Sequence, residues 1–289
     1  MIRVPCPRGN ARASARHRVV VRLSRLNFTL VTSRTTVLVA LGVAAAVARL
    51  PAQDPFEIAV YPAATLPRGE WELETHLNYV ARGTTVFDGT VAPTQNQTHL
   101  AFELAHGITS WWEASAYFLS AYRPGLGAQY AGWRLRTRVS APPHWRLPLD
   151  LGFSAEIEAP QPAYGGASPT LELSPILERR FGAIRVGVNA NLERDLGAGE
   201  AGAKEEEWEF EPSAIVAYRV SPLATATLEY HGAFGEKAGP LAPSPHVHQI
   251  FPGVDLSLGP EVALGLSVGF GTTSFGNRLV FASRLEFDF

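Results

Sequence analysis

Apolar and polar residues alternate along most of the chain between residue 70 and its end. Near the C-terminus, Leu279, Phe281 and Leu285 share one parity, and Arg284 and Glu286 have the other. A two-residue period places successive side chains on opposite faces of a strand, so each such run predicts a strand with one apolar face and one polar face. About twelve runs of this kind occur, at residues 70–82, 98–105, 111–119, 129–140, 147–159, 169–179, 184–192, 207–220, 223–232, 247–258, 262–270 and 278–289.

The connections between the predicted strands alternate in length. The long ones are residues 83–97, 122–128, 160–168, 195–206, 233–246 and 272–277, and the short ones are 106–110, 141–146, 180–182, 221–222 and 259–260. Transmembrane barrels of the bacterial outer membrane have long loops outside and short periplasmic turns, whereas a β-sandwich has no reason to sort its connections in this way. The sequence therefore predicts an all-β fold, a closed antiparallel transmembrane β-barrel of about twelve strands. Pro175 and Pro212 lie within predicted strands and are expected to mark bulges or local irregularities.

Residues 1–52 differ from the rest of the chain, because they contain nine of its 25 basic residues and none of its 27 acidic residues. Residues 37–48 form an uninterrupted apolar run that is too short to cross a bilayer as a helix. We interpret residues 1–52 as a signal peptide with an Arg-rich N-terminal extension, cleaved after Ala52, and residues 53–289 as the outer-membrane β-barrel. Because an export signal follows the arginines, no nucleic-acid partner is predicted. Cys6 is the only cysteine and precedes the apolar run, so the predicted mature chain has no disulfide.

The chain ends on an aromatic residue within its last alternating run. Phe287 and Phe289 resemble the C-terminal assembly signal of outer-membrane barrels, which implies the barrel-assembly machinery as a partner. Deleting Phe289 is expected to lower the yield of inserted, heat-modifiable barrel in the outer membrane and to leave transport by the inserted fraction unchanged. Normal insertion without Phe289 would contradict this role.

Several short segments carry a family resemblance. The segments are His106-Gly-Ile-Thr-Ser-Trp-Trp-Glu113, Leu173-Ser-Pro-Ile-Leu-Glu-Arg-Arg-Phe-Gly182, Tyr218-Arg-Val-Ser-Pro222 and Phe251-Pro-Gly-Val-Asp255. They resemble the MetA-pathway phenol-degradation outer-membrane family, over most of residues 60–289. The resemblance implies a barrel fold and a transport role, and it supplies no catalytic residues.

Charged residues dominate the predicted lumenal face. The candidates for lining the lumen are Arg134, Arg136, Arg138, Glu156, Glu158, Glu172, Glu178 and Arg185. Opposite charges on neighbouring strands suggest cross-strand ion pairs. Two interpretations remain open: the charges form a wall that selects solutes, or they fill a narrow bore for structural reasons.

An acidic cluster precedes and enters one predicted strand, and it comprises Glu205, Glu206, Glu207, Glu209 and Glu211. Placed at the external mouth, it would concentrate cations or bind Ca²⁺, and the alternative is a solvated loop. His246 and His248 share a strand face, but a third ligand is not evident, so neither a metal site nor a cofactor is predicted.

These patterns favour a passive channel or transporter in the cell outer membrane, surrounded by its lipids, for small solutes including hydrophobic ones. The alternatives are a structural or adhesive barrel with a filled lumen and an outer-membrane hydrolase. We predict that the protein is not an enzyme, because the sequence contains no His-x-Ser pair, phosphate loop or dinucleotide fingerprint. A soluble periplasmic β-protein is the least favoured alternative.

Overall fold

The computed structural model describes residues 54–87, 89–197, 208–234, 246–273 and 276–289. Within these residues, 12 antiparallel strands form a closed barrel in which each strand pairs with its neighbours in sequence. The strands are β1 (Trp71–Arg82), β2 (Thr98–Thr109), β3 (Trp112–Arg123), β4 (Gly127–Ser140), β5 (Asp150–Pro160), β6 (Thr170–Phe181), β7 (Ile184–Asp195), β8 (Glu209–Ser221), β9 (Ala224–Ala233), β10 (Val247–Ser257), β11 (Val262–Gly271) and β12 (Leu279–Asp288). The predicted fold class is confirmed. The predicted signal peptide lies outside the described residues.

The barrel closes between its first and last strands. Leu73 lies opposite Phe287 in the antiparallel register of β1 and β12. The backbones of Trp71 and Phe289 exchange two hydrogen bonds of 2.9 Å beyond the end of that ladder. Closure gives every strand two partners, which a sheet needs in hydrocarbon because unpaired backbone groups there are costly.

The two faces of the barrel differ as the alternation predicts. Large apolar side chains point outward and are exposed, among them Leu77, Phe102, Leu135, Phe153, Leu228 and Leu266. Polar and charged side chains of the same strands point inward and are buried, among them His76, Glu103, Arg136, Ser154, Asn189 and Gln249. Such a reversal of the usual soluble arrangement is typical of a barrel whose outer face contacts lipid.

The connection lengths follow the predicted alternation except at two neighbouring connections: the one from β3 to β4 is short, and the one from β4 to β5 is long. Only residues 124–126 separate β3 from β4, although a long loop was predicted over residues 122–128. The strands continue into that region, with Arg123 opposite Gly127, and Gly125 and Gly127 adopt φ values of +82° and +78° that favour glycine in the tight turn. The connection from β4 to β5 is longer than predicted and contains a 3₁₀ turn at Pro143–Trp145.

The two prolines in strands do not coincide with the register shifts. Pro175 lies opposite Phe153, and Pro212 lies opposite Ala190. The shifts in the described ladders occur between the residue pairs Val80 and Arg82, Gly107 and Thr109, Leu119 and Ser120, and Arg219 and Ser221. Pro175 instead interrupts the β6–β7 ladder, in which paired residues resume at Ile176. A proline removes one backbone donor without requiring an extra residue.

No helix in the described part of the chain is long and apolar enough to span a membrane.

Candidate functional site

Residues 54–67, which we call the inner segment, lie inside the barrel before the first strand begins. Asparagines on two strands bind its backbone. Asn78 on β1 donates to the carbonyls of Pro55 and Phe56 at 2.9 and 3.2 Å. Asn189 on β7 accepts from the amide of Tyr61 at 2.7 Å and donates to the carbonyl of the same residue at 3.1 Å. The backbone of the inner segment therefore has partners on strands well separated around the barrel.

Apolar packing supplements these hydrogen bonds. Phe56 is 1% exposed and meets the ring of His99 edge-on, with the ring centroids 4.8 Å apart. Val60 packs with Ile215 of β8. Where the segment leaves the lumen, a Cβ on Gly107 would lie 2.0 Å from the carbonyl oxygen of Pro67, so only glycine fits there. Burying a side chain the size of phenylalanine contributes about 1.5–3 kcal/mol, so this packing is a substantial part of what holds the segment.

The connection from β5 to β6 narrows the long-loop end of the barrel. It contains a short helix, α1 (Pro162–Gly165), and the Tyr164 ring lies edge-on to Phe56 with a centroid distance of 6.2 Å. The Ala92 amide in the connection from β1 to β2 donates to the carbonyl of Ala163 at 2.9 Å. Burial raises the pKa of the Tyr164 phenol, so its hydroxyl stays protonated and donates to Gln129.

Arg134 is the centre of an ion-pair network between the inner segment and the wall. It is 3% exposed and binds Asp54 and Glu57 of the inner segment. It also binds Glu156 and Glu158 of the neighbouring strand β5, at 2.9 and 2.5 Å. One guanidinium group thus faces four carboxylates, which joins the segment electrostatically to β4 and β5.

Arg136 and Arg138 extend this network towards the short-turn end. Arg136 binds Glu57 and Glu103, and its guanidinium carbon lies 3.8 Å from the centroid of the Tyr61 ring. Arg138 binds Glu113 at 2.7 Å, and the other oxygen of Glu113 accepts from the Leu66 amide at 2.7 Å. Every arginine of the predicted basic stripe therefore has a carboxylate partner.

The remaining candidates lie on β6 and β7, which follow β5 around the barrel wall. Glu178 on β6 binds Arg180 and Arg185 at 3.0 and 3.3 Å. Glu172 lies opposite Glu156 on one side and Glu193 on the other, and Glu193 in turn lies opposite Glu209. Four glutamates on consecutive strands, β5 to β8, thus form one continuous row, which we call the acidic row. Like charges directly opposite each other are destabilising.

A cavity of about 130 Å³ lies between the acidic row and the inner segment. Its lining includes Glu156, Glu158, Glu172, Glu193 and Glu211 of the wall together with Asp54 and Glu57 of the segment. Glu172, Glu193 and Glu211 form no ion pair with any basic side chain that the structure describes. The space is large enough for several water molecules. The described lining of the cavity therefore contains seven carboxyl groups and one arginine, Arg134, so acidic groups are in excess.

The other predicted residues have separate positions. Glu205, Glu206 and Glu207 lie outside the described residues, while Glu209 and Glu211 belong to β8 and Glu211 lines the cavity. His248 Nδ1 lies 2.7 Å from the Tyr230 hydroxyl, and its ring meets that of His246 edge-on. Phe287 and Phe289 are exposed at the short-turn end, and their role in assembly stays a prediction.

No protein family and no curated protein matches the chain. Among solved structures, it is similar to the NanC porin, with a TM-score of 0.50 and 6% identity over 75% of this chain and 97% of that chain. It is also similar to the Acinetobacter baumannii outer membrane protein Omp33, with a TM-score of 0.42 and 10% identity over 76% of this chain and 98% of that one. The chain is also similar to LpxR from Salmonella typhimurium, with a TM-score of 0.40 and 10% identity over 75% of this chain and 99% of that chain. At such low identities the similarity concerns the fold, and the protein has the fold of outer-membrane β-barrels such as porins.

Proposed function

We propose that the protein is an outer-membrane channel for small cationic solutes whose lumen is closed at rest by the inner segment. The observation that carries the proposal is the excess of acidic groups around the cavity. Arg134 lines the cavity and binds Asp54, Glu57, Glu156 and Glu158, while Glu172, Glu193 and Glu211 line it without an ion pair to a basic side chain in the described chain. Uncompensated charge of one sign along a pore wall attracts counter-ions and repels ions of the same sign.

Location in the outer membrane is part of the proposal. It is supported by the exposed apolar outer face and by the closed antiparallel barrel. The resemblance to the MetA-pathway phenol-degradation family is consistent with transport. However, a charged wall is a poor surface for hydrophobic solutes, because desolvating carboxylates beside an apolar molecule is costly. The acidic row therefore favours cations over the hydrophobic solutes that the sequence also allowed.

Ion selectivity tests this proposal. To open the lumen, residues 55–66 are replaced by a Gly/Ser stretch of equal length, giving what we call the relaxed variant. In a planar bilayer with a KCl gradient, its reversal potential should indicate preference for K⁺ over Cl⁻. Adding Glu172→Gln, Glu193→Gln and Glu211→Gln keeps the side-chain size and removes three acidic groups, so the permeability ratio should fall towards unity.

The matched control is Glu261→Gln in the same background, because Glu261 is exposed in the turn between β10 and β11 and does not line the cavity. This control should retain the K⁺ preference of the relaxed variant. An anion-selective relaxed variant, or equal selectivity with and without the three lumenal glutamates, would refute the proposed cation path.

A structural barrel with a filled lumen is the second candidate function. It is favoured by the inner segment itself, which hydrogen-bonds to β1, β3 and β7 and buries Phe56 and Val60. A purely structural role does not explain why Glu172, Glu193 and Glu211 lie close together without basic partners in the described chain, since such groups repel one another. We therefore rank this role second. It predicts no ion conduction even after the inner segment has been relaxed.

A further inference from the structure

We propose that Glu57, His76 and Glu103, with Glu74 beside them, form a binding site for a divalent transition-metal cation of the Zn²⁺ class, which links the inner segment to β1 and β2. One ligand atom each from Glu57, His76 and Glu103 lies within 4.8 Å of the others. Glu57 comes from the inner segment, His76 from β1 and Glu103 from β2. The site therefore exists only while the inner segment occupies the lumen.

The buried donor atoms of this cluster are incompletely satisfied. Glu103 Oε2 has no hydrogen-bond partner among the described residues, although Glu103 is only 1% exposed. His76, which is also 1% exposed, contacts Glu74 Oε1 through Nε2 at 2.6 Å, and the same nitrogen lies 3.7 Å from Glu57 Oε1. Buried polar atoms nearly always have a partner, so the unpartnered oxygen of Glu103 beside His76 and Glu57 points to a missing ligand.

The register of the sheet explains why these acidic groups converge. Glu74 lies directly opposite Glu103 on β2 and directly opposite Glu286 on β12. Three carboxylates in one row repel one another unless positive charge lies between them. Arg284 lies 3.7 Å from Glu74 and also binds Glu286, and Arg136 binds Glu103 through its other oxygen, Oε1. This arrangement leaves Glu103 Oε2 for a cation.

The charge balance of the neighbourhood leaves room for a dication. Arg134 and Arg136 together face Asp54, Glu57, Glu103, Glu156 and Glu158. Two guanidinium groups against five carboxylates leave a negative excess before Glu74 is considered. A dication between His76 and Glu103 would offset part of this excess and give Glu103 Oε2 a partner.

The donor set indicates the class of metal. One imidazole nitrogen with carboxylate oxygens is a ligand combination that Zn²⁺ accepts, usually in tetrahedral geometry. Ca²⁺ prefers six to eight oxygen ligands in a more open site, which this buried cluster does not offer. The nitrogen donor and the small number of ligands therefore favour Zn²⁺ over Ca²⁺.

Metal binding by the purified full barrel tests this site without reference to conduction. After dialysis against a chelator, calorimetric titration with Zn²⁺ should give one site per barrel, and excess Ca²⁺ should not displace the bound metal. His76→Gln and Glu103→Gln should each weaken binding by roughly tenfold or more, because each removes a ligand. Glu57→Gln should do the same and would show that the inner segment contributes a ligand.

The control is His231→Gln, which changes another buried lumenal histidine, hydrogen-bonded to Glu229 and outside the proposed site. It should bind Zn²⁺ like the unaltered protein. Heat-modifiable migration verifies that each variant is folded, and the three ligand variants guard against failure of any one to fold. Absence of a stoichiometric Zn²⁺ site in the unaltered protein, or unchanged binding in all three folded ligand variants, would overturn the proposal. A barrel that binds Zn²⁺ but never conducts would keep this site and refute the proposed channel.

Discussion

Replacing Arg134 with Met is expected to lower the free energy of unfolding by roughly 3–5 kcal/mol, because removing one partner of a buried ion pair leaves uncompensated charge behind. Arg134 is 3% exposed and faces Asp54, Glu57, Glu156 and Glu158. Met occupies a similar volume, so the loss would reflect charge rather than a cavity. Urea unfolding of the barrel in lipid vesicles measures the effect as a lower midpoint at an unchanged slope.

Companion variants separate the charge effect from other causes. Arg134→Lys keeps the charge but loses the planar fork, so its stability should fall between those of the unaltered protein and Arg134→Met. Adding Glu57→Gln to Arg134→Met should restore part of the loss, since the two residues are in contact and their effects are not additive. Arg219→Met, at an exposed position on β8, should change stability by no more than about 0.5 kcal/mol. Equal stability of the Arg134 and Arg219 variants would show that the network does not support the fold.

The strands and their faces could be predicted because that information is local. Leu77 and Tyr79 alternate with His76 and Asn78, and the structure exposes the first pair and buries the second. In a lipid-facing barrel, every second residue has an apolar environment along the whole strand, so the period survives even where the register is uncertain. Closure followed from the same argument, since hydrocarbon does not tolerate an unpaired edge.

The inner segment could not be predicted by the same means. Strand walls surround it, so it has no lipid face, and both parities are buried, as Phe56, Glu57, Ala59 and Val60 show. Alternation is absent where all sides of a chain contact protein. The only signal was a short apolar stretch between Pro55 and Pro62 ahead of the first strand, and that pattern is equally typical of a linker.

The charged partners were only partly accessible from the sequence. Arg134 meets Glu156 and Glu158 on the adjacent strand, as neighbouring opposite charges suggested, but Arg136 binds Glu103 of β2 and Glu57 of the inner segment. A guanidinium on a long side chain reaches across a curved interior to residues that are distant in sequence. Such contacts depend on the curvature of the barrel and on what fills the lumen, and the spacing of residues along the chain predicts neither.

Relaxing the inner segment is expected to produce the largest functional change. The Gly/Ser replacement of residues 55–66 removes the Phe56 and Val60 packing, the Glu57 ion pairs and the side chain of Tyr61. The Asp54–Arg134 ion pair and hydrogen bonds of the segment's backbone, such as those to Asn78 and Asn189, would then be the main contacts left to hold the segment in the lumen. Because the inner segment blocks the path of ions through the lumen, its release should raise the single-channel conductance by roughly an order of magnitude or more.

A variant that only weakens the binding of the inner segment checks the conductance expected for the relaxed variant. Asn189→Ala removes the two hydrogen bonds to Tyr61 and leaves every ion pair of the network in place. It should therefore give brief openings of the same amplitude as those of the relaxed variant, rather than a stable intermediate level. Heat-modifiable migration of both variants would show that the barrel itself is intact.

The most direct measurement of the central claim, that the inner segment closes the lumen, is paired single-channel recording of the unaltered protein and the relaxed variant in the same bilayer. We expect the unaltered protein to be closed for most of the recording and the relaxed variant to conduct steadily. Equal conductance of the two proteins, whether open or silent, would contradict the claim.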